Sequence, residues 1–116
     1  MRPRKINVLV CSDLTERQTK TIKSLSGKLN VVVCKGDVKP SSLIGDAEIV
    51  AGWVNERLIR KAKKLRWFHT FSTGVDSTLC RCLMGRDTLV TCSKGAHAIP
   101  VAEHAVMFML LSLIHI

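Results

Sequence analysis

The chain has 116 residues, of which 47% are hydrophobic and 23% charged, and its 18 Lys and Arg outnumber nine Asp and Glu to give a net charge of +9. This length suits one domain with its own core, and the abundance of Val, Ile and Leu excludes intrinsic disorder. No apolar run reaches the roughly 18 residues of a membrane span, and the first apolar run is too short for a signal peptide. We therefore expect a soluble, cytoplasmic protein that binds no membrane.

The first half of the chain alternates short apolar runs with helical patterns. Strands are predicted at 6–10, 31–34 and 48–51. Asp13 is predicted to cap the first helix, with Glu16 as its capping-box partner and Gly27 at its end. The segment with Pro40 and Gly45 is predicted to be a loop, and Asn55 to cap a helix that turns four apolar residues inward: Leu58, Ile59, Ala62 and Leu65.

The second half continues the alternation. Strands are predicted at 67–71 and 89–92, with a short helix at 78–83 between them and a helix from Pro100 onwards. Alternation with short connections predicts an α/β fold with a parallel sheet of about five strands and flanking helices. The last helix is apolar nearly all round, which is typical of a helix buried between other elements.

Charge and cysteine content favour neither nucleic acid nor metal as a partner. The basic cluster at 61–66 falls on a predicted helix with an apolar opposite face, which indicates a solvated surface. Few aromatic residues interleave with the charges, so base stacking is disfavoured. The five cysteines lack the paired Cys-x-x-Cys spacing of a zinc site, and we expect reduced structural thiols and no bound metal.

Two loops follow predicted strands at the edge of the sheet where α/β domains bind ligands. The first is Ser72-Thr73-Gly74-Val75-Asp76 and the second spans 93–99. A carboxylate needs several converging N–H donors, and a glycine lets it approach the backbone because no Cβ intervenes. The backbone amides of Thr73, Gly74 and Val75 are the predicted donors, although a lone glycine loop of this kind is more often only a tight turn.

The order of these motifs along the chain resembles that of a known enzyme family. The strand at 67–71, the Ser-Thr-Gly-Val-Asp loop, Leu89-Val90-Thr91, Gly95 and Val101-Ala102-Glu103-His104 together resemble the N-terminal part of D-isomer-specific 2-hydroxyacid dehydrogenases over about residues 45–110. The resemblance implies a flavodoxin-like substrate-binding domain at 1–99 and the start of an interdomain helix at 100–110. In the family that helix leads to a Rossmann domain.

The resemblance also implies roles for individual residues. Thr73, Gly74 and Val75 would bind the substrate carboxylate, His97 falls where formate dehydrogenases place a substrate-contacting Asn, and Val101 would pack near the nicotinamide ring of NAD or NADP. The family's catalytic Arg, Glu and His and its Gly-x-Gly-x-x-Gly fingerprint are expected downstream, so this chain would hold no catalytic residue and be inactive alone. The full-length enzyme, implied to be a homodimer, would act on a small 2-hydroxy or 2-keto acid.

Other interpretations of the same residues carry less support. The chain could be a free-standing small-anion-binding or regulatory domain, or a basic nucleic-acid-binding domain. A zinc site from His69, His97 and His104 lacks ligand spacing. A triad of Ser72, His69 and Asp76 is disfavoured because residues three apart on a strand point to opposite faces.

The last six residues suggest a non-native origin. Leu-Ser-Leu-Ile-His-Ile at 111–116 is what CTGTCTCTTATACACATCT, a transposon end used in sequencing libraries, encodes in one frame. We hypothesise that this tail is adapter-derived. Resequencing the locus tests this hypothesis. It is refuted if the gene encodes residues 111–116 with codons that differ from the transposon end and has a genuine stop codon directly after them.

Overall fold

A computed structural model describes residues 4–35, 39–76 and 82–114. Within these ranges, five parallel strands form one sheet in the order β2-β1-β3-β4-β5. This is the strand order of flavodoxin-like domains, and the predicted α/β fold is confirmed. The strands are β1 (Ile6–Cys11), β2 (Leu29–Val33), β3 (Ile49–Gly52), β4 (Trp67–Thr70) and β5 (Leu89–Cys92).

The helices of the described ranges are α1 (Glu16–Ser24), α2 (Pro40–Leu43), α3 (Glu56–Ile59) and α4 (Ala98–Ile114), with a 3₁₀ turn at Ile44–Asp46. The segment predicted as a loop around Pro40 is therefore helical, because proline at the first position supplies the φ that a helix needs. The helix predicted at 78–83 falls mostly outside the described residues.

Helix α3 is shorter than predicted. Asn55 caps it as expected, since its side chain accepts a hydrogen bond from the Leu58 amide. Regular helix ends at Ile59, and turns continue the chain. Ile59, Ala62 and Leu65 are buried as predicted, and Leu58 is half-buried against the same core. The apolar spacing therefore identified the buried side chains correctly and overestimated the helix length.

Helix α1 is capped by Thr15, and the prediction of Asp13 with Glu16 is wrong. The Thr15 hydroxyl accepts from the Gln18 amide at 3.2 Å, and the Gln18 side chain accepts from the Thr15 amide at 2.9 Å. These two bonds complete a capping box that starts two residues later than predicted. Thr15 therefore satisfies amides at the start of α1 that would otherwise need water.

Substituting Thr15 with alanine should lower the free energy of unfolding by about 1 kcal/mol, because the cap side chain is lost. Asp13→Ala is the matched control and should change stability by less than about 0.5 kcal/mol. Urea denaturation of both variants checks this, and an equal loss in the two would contradict the assignment of the cap.

The sheet carries a buried layer on each face, as expected when successive side chains of a strand point to opposite sides. One face holds the larger cluster, whose largest fully buried side chains are Leu9, Ile44, Val50, Ile59 and Phe68. The other face holds Val8, Val10 and Val31, covered by Leu14 and Ile22 from the α1 side.

The second face is poorly covered at the β4–β5 side, where the Trp67 side chain is 39% exposed and that of Leu89 is 61% exposed. Helix α4 is exposed along its described side chains, in contrast to the burial that its composition predicts. It extends away from the sheet, so the radius of gyration is 18.1 Å, against about 13 Å for a compact domain of this size.

Cysteine chemistry follows the sequence expectation only in part. Cys11, Cys34 and Cys92 are free thiols, whereas Cys82 is disulfide-bonded. The expectation of reduced thiols is therefore wrong for Cys82, because spacing along the chain does not reveal which sulfur atoms come within bonding distance.

In the part of the chain that the structure describes, no helix is both long and apolar enough to cross a membrane.

Candidate functional site

The two loops singled out in the sequence lie side by side at the carboxyl edge of the sheet. Strands β4 and β5 are neighbours and pair in register as far as Thr70 and Cys92, the last residue of each. Just beyond this pair, the Ser93 amide donates to the Ser72 carbonyl at 2.9 Å. The first loop is thereby attached to the start of the second.

The carbonyl groups of the first loop point to internal partners. The Ser72 carbonyl accepts from Ser93, the Thr73 carbonyl accepts from the Cys92 thiol at 3.7 Å, and the Gly74 carbonyl accepts from the Ser72 hydroxyl. Three successive carbonyls are thus engaged on the protein side. These bonds hold the loop in place. Because the N–H of a trans peptide points away from its C=O, the amides of the same peptide units point away from these internal partners.

The amides of Thr73, Gly74 and Val75 donate to no acceptor among residues 4–35, 39–76 and 82–114. Thr73 and Gly74 are exposed and Val75 is half-buried. Unpaired, accessible backbone N–H groups at the carboxyl edge of a parallel sheet are suited to accepting an anion. The three amides are therefore free to donate within the described part of the chain, and their role as carboxylate donors remains a prediction.

Gly74 provides space and not an unusual backbone. Its φ is not positive, unlike those of Gly52, Gly85 and Gly95. A Cβ added at Gly74 would meet only the Asp76 carboxylate, at an ordinary 3.8 Å. The protein would therefore tolerate a small side chain at Gly74, and the role of the glycine in leaving the neighbouring amides uncovered for a ligand remains a prediction.

The second loop leads directly into α4. Gly95 has a φ of +85°, the left-handed conformation that glycine adopts most readily, and its carbonyl accepts from the Ala98 amide at 3.1 Å. The His97 carbonyl accepts from the Val101 amide at 3.0 Å, which begins the helix. The side chains of His97 and Val101 are exposed, and neither forms a hydrogen bond with the first loop in the part of the chain that the structure describes. Their binding roles remain predictions.

His69 belongs to a polar cluster on the β4–β5 face and not to a triad. Its Nδ1 lies 2.8 Å from the Thr91 hydroxyl, and its Nε2 lies 3.4 Å from the Ser93 hydroxyl. The Trp67 indole N–H donates to the same Thr91 oxygen at 2.9 Å. Both ring nitrogens of His69 are thus engaged away from Ser72, in agreement with the argument against a Ser72, His69, Asp76 triad.

Sequence reasoning missed the residues that hold the first loop in place. Thr70 is only 1% exposed, and its hydroxyl accepts from the Ser72 amide at 3.3 Å. Cys92, at the end of β5, and Ser93, just after it, supply two further bonds to the loop. A signal for Thr70 is present in the sequence, because a hydroxyl residue at the last position of a buried strand needs a local partner.

Thr70→Val should accelerate hydrogen exchange at the Ser72 amide by about fivefold, since one ordinary hydrogen bond of about 1 kcal/mol is lost. Thr70→Ser keeps the hydroxyl and should leave that exchange rate near the wild-type value. Amide exchange followed by NMR measures both variants. Equal acceleration in the two would show that the Thr70 hydroxyl does not hold the loop.

A cavity of about 440 Å³ lies at the opposite, amino edge of the sheet, near Ile6, Glu48, Arg66 and Trp67. Its most buried polar group, the Glu48 carboxylate, is paired with Arg4 at 3.0 Å. The cavity therefore offers no unpaired buried group that would orient a ligand.

The basic cluster at 61–66 has the character of a solvated surface. The Lys64 ammonium lies 2.6 Å from the Asp46 carboxylate, and both side chains are largely exposed. This contact lowers the pKa of Asp46 below its ordinary value. Lys64 therefore has an acidic partner, as expected on a solvated surface, and the absence of a nucleic-acid partner remains a prediction.

Fold and loop together define the class of protein: a flavodoxin-like α/β domain with an exposed, amide-lined loop at the carboxyl edge of its sheet. Comparison with solved structures identifies a family to which this domain is similar. The chain is similar to the crystal structure of a D-isomer specific 2-hydroxyacid dehydrogenase family protein from Aeromonas salmonicida, with 26% identity and a TM-score of 0.67 over 95% of this chain. The resemblance seen in the sequence is thus confirmed by a structure.

The match covers 36% of the Aeromonas salmonicida chain, so the present sequence spans about a third of that protein's length. No family model matches the sequence, and no curated protein matches it. The structural likeness supports an oxidoreductase-like domain, in a family that uses a nicotinamide cofactor.

Proposed function

We propose that this chain is the substrate-binding part of an NAD(P)-dependent D-2-hydroxyacid dehydrogenase, which transfers a hydride between the nicotinamide and a D-2-hydroxy acid or its 2-keto acid. The observation that carries this proposal is the first loop. Its carbonyls are engaged internally, and the amides of Thr73, Gly74 and Val75 have no acceptor in the described part of the chain. The likeness to a 2-hydroxyacid dehydrogenase family protein supports the same function.

The loop would act by holding the carboxylate of the acid. N–H groups directed at a carboxylate form charge-assisted hydrogen bonds, which are shorter and stronger than neutral ones. Bonds to both oxygens would fix the plane of the carboxylate and therefore the position of the adjacent C2. The bonds from Ser93 and Cys92 to the loop would keep this position constant during the reaction.

The cofactor supplies the hydride chemistry when it is bound. Among the residues of this chain, Val101 fits a contact with the nicotinamide, because its side chain is 64% exposed at the start of α4 and is apolar. The 116 residues contain no Gly-x-Gly-x-x-Gly. We therefore propose that a separate nucleotide-binding domain holds most of NAD or NADP and that the present chain alone has no dehydrogenase activity.

The other functional assignments follow from the same proposal. His97 would contact the substrate from the second loop, where its side chain is exposed. The partner would be a small 2-hydroxy or 2-keto acid, with no nucleic acid and no membrane. The intact enzyme would be a cytoplasmic homodimer.

The test is an assay of the protein expressed from the complete gene, with a panel of 2-keto acids and with NADH and NADPH. We expect oxidation of one reduced cofactor with at least one acid, and no oxidation when the 116-residue chain is used as the control. A gene product that binds 2-keto acids without consuming either cofactor would favour the free-standing anion-binding or regulatory domain. Absence of both binding and turnover would contradict both functions.

A further inference from the structure

We propose that Cys11 and Cys34 form a peroxide-sensitive dithiol that closes into an intramolecular disulfide. The two sulfur atoms lie 3.9 Å apart, and both residues are free thiols. The pair lies at the carboxyl edge of the β1–β2 side of the sheet, away from the loop that carries the proposed function. This inference does not depend on that function.

The sheet register places the two residues opposite each other. Strands β1 and β2 pair in parallel from Ile6 with Leu29 to Val10 with Val33. Cys11 and Cys34 are the next residues in this register, and the Cys34 amide donates to the Val10 carbonyl at 2.8 Å. Neighbouring strands lie about 4.8 Å apart, and disulfides join Cα atoms separated by about 4.4 to 6.8 Å. A bond therefore requires side-chain rotation and no movement of the strands.

The two thiols differ in accessibility, which sets the order of events. Cys34 is half-buried, whereas Cys11 is 7% exposed within the core. Burial, followed by the proximity of Cys34, raises the pKa of the Cys11 thiol to about 12. A small oxidant would therefore react first at Cys34, and Cys11 would be the buried partner that resolves the product.

The chemistry balances with a hydroperoxide as the oxidant. The Cys34 sulfur attacks the peroxide oxygen, the O–O bond breaks, and a sulfenic acid forms with release of water or an alcohol. The Cys11 sulfur then attacks the Cys34 sulfur, the S–O bond breaks, and the hydroxyl leaves as water with the Cys11 thiol proton. Two thiols are oxidised to one disulfide, and one peroxide is reduced.

Cys92 offers a matched control because it is also a free, half-buried thiol. Its hydrogen-bond partner is the Thr73 carbonyl, not a second sulfur. Oxidised Cys92 thus has no neighbouring thiol among the described cysteines to resolve it. We therefore expect peroxide to convert Cys34 into a disulfide with Cys11, whereas oxidised Cys92 should form no such intramolecular disulfide.

The experiment treats the folded, full 116-residue chain with hydrogen peroxide, alkylates the remaining thiols and identifies the products by peptide mass spectrometry. We expect the Cys11–Cys34 cross-link to exceed every cross-link containing Cys92 by about tenfold or more, because neighbouring thiols react at a high effective concentration. A reducing agent should remove the cross-link. Cys92→Ser should retain it, and Cys34→Ser should abolish it.

A second measurement keeps the proposal testable if a variant does not fold. The wild-type chain oxidised in urea loses its strand pairing, so the preference for Cys11–Cys34 should disappear there. The proposal is overturned if folded wild-type protein accumulates Cys34 sulfinic acid while Cys11 stays alkylatable. Equal yields of Cys11–Cys34 and Cys92-containing cross-links would overturn it as well.

Discussion

Substituting Gly52 with alanine should lower the free energy of unfolding by more than about 3 kcal/mol, which is a large part of the stability of an ordinary domain. Gly52 ends β3 with a φ of +110°, and an added Cβ would lie 2.3 Å from the Cys11 carbonyl oxygen. Both the backbone conformation and the space exclude a side chain. The neighbouring backbone cannot easily move, since the same Cys11 carbonyl accepts from the Trp53 amide at 2.9 Å.

Substitutions at two other glycines distinguish the cost of the positive φ from the cost of the steric clash. Gly85 has a φ of +79° with nothing within 4 Å of an added Cβ, so Gly85→Ala should show only the backbone cost, about 1 to 2 kcal/mol. Gly27 has neither constraint, and Gly27→Ala should be close to neutral. Urea denaturation ranks the three variants. A loss at Gly52 no larger than that at Gly85 would show that the close approach of β3 to Cys11 is not real.

Substituting Gly74 with proline should weaken binding of a 2-keto acid such as pyruvate by about tenfold or more, because it removes one N–H donor and a hydrogen bond to a charged group contributes about 1.5 to 3 kcal/mol. Gly74→Ala is the matched control because it keeps the amide. Its Cβ would make only an ordinary contact with Asp76. NMR titration of the full chain gives the dissociation constants.

Folding must be intact for that comparison, so slow exchange of the Ser93 amide, which bonds to Ser72, serves as the check on the loop. If both Gly74 variants bind as tightly as the wild type, the amides of the first loop do not hold the acid. If the alanine variant binds as weakly as the proline variant, the space beside Gly74 matters and the N–H itself does not.

Strand β1 was predictable because most of its residues are buried within the sheet. The run from Ile6 to Val10 is mostly apolar, as a strand covered on both faces requires, and it lies inside the sheet between β2 and β3. Helix boundaries were less predictable. Ser12, Asp13 and Thr15 are all good capping residues, and only the fold determines which hydroxyl or carboxylate meets a free amide.

The position of the first loop was predictable from the sequence, and the hydrogen bonds that hold it in place were not. Gly74 marks the first loop in the sequence, and the position of that loop after β4 places it at the carboxyl edge. The bonds from Cys92 and Ser93 depend on β5 lying beside β4 in a particular register, and this pairing joins residues about twenty positions apart. The sulfur pair of Cys11 and Cys34 was missed for the same reason.

Helix α4 shows how composition can mislead about burial. Its side chains are apolar on nearly every face, which is typical of a buried helix, yet the described ones are exposed. Burial needs a second apolar surface within reach, and no such surface lies against α4 in the described ranges. The pattern therefore predicts the helix and cannot by itself predict its partner.

Binding of the acid by the first loop is tested most directly by an NMR titration of the ¹⁵N-labelled chain with pyruvate, with chloride at equal ionic strength as the control. If the loop holds the acid, the amide signals of Thr73, Gly74 and Val75 shift together and saturate with pyruvate, while those in β1 and β2 do not. Shifts centred on another part of the surface, or equal shifts with chloride, would contradict it.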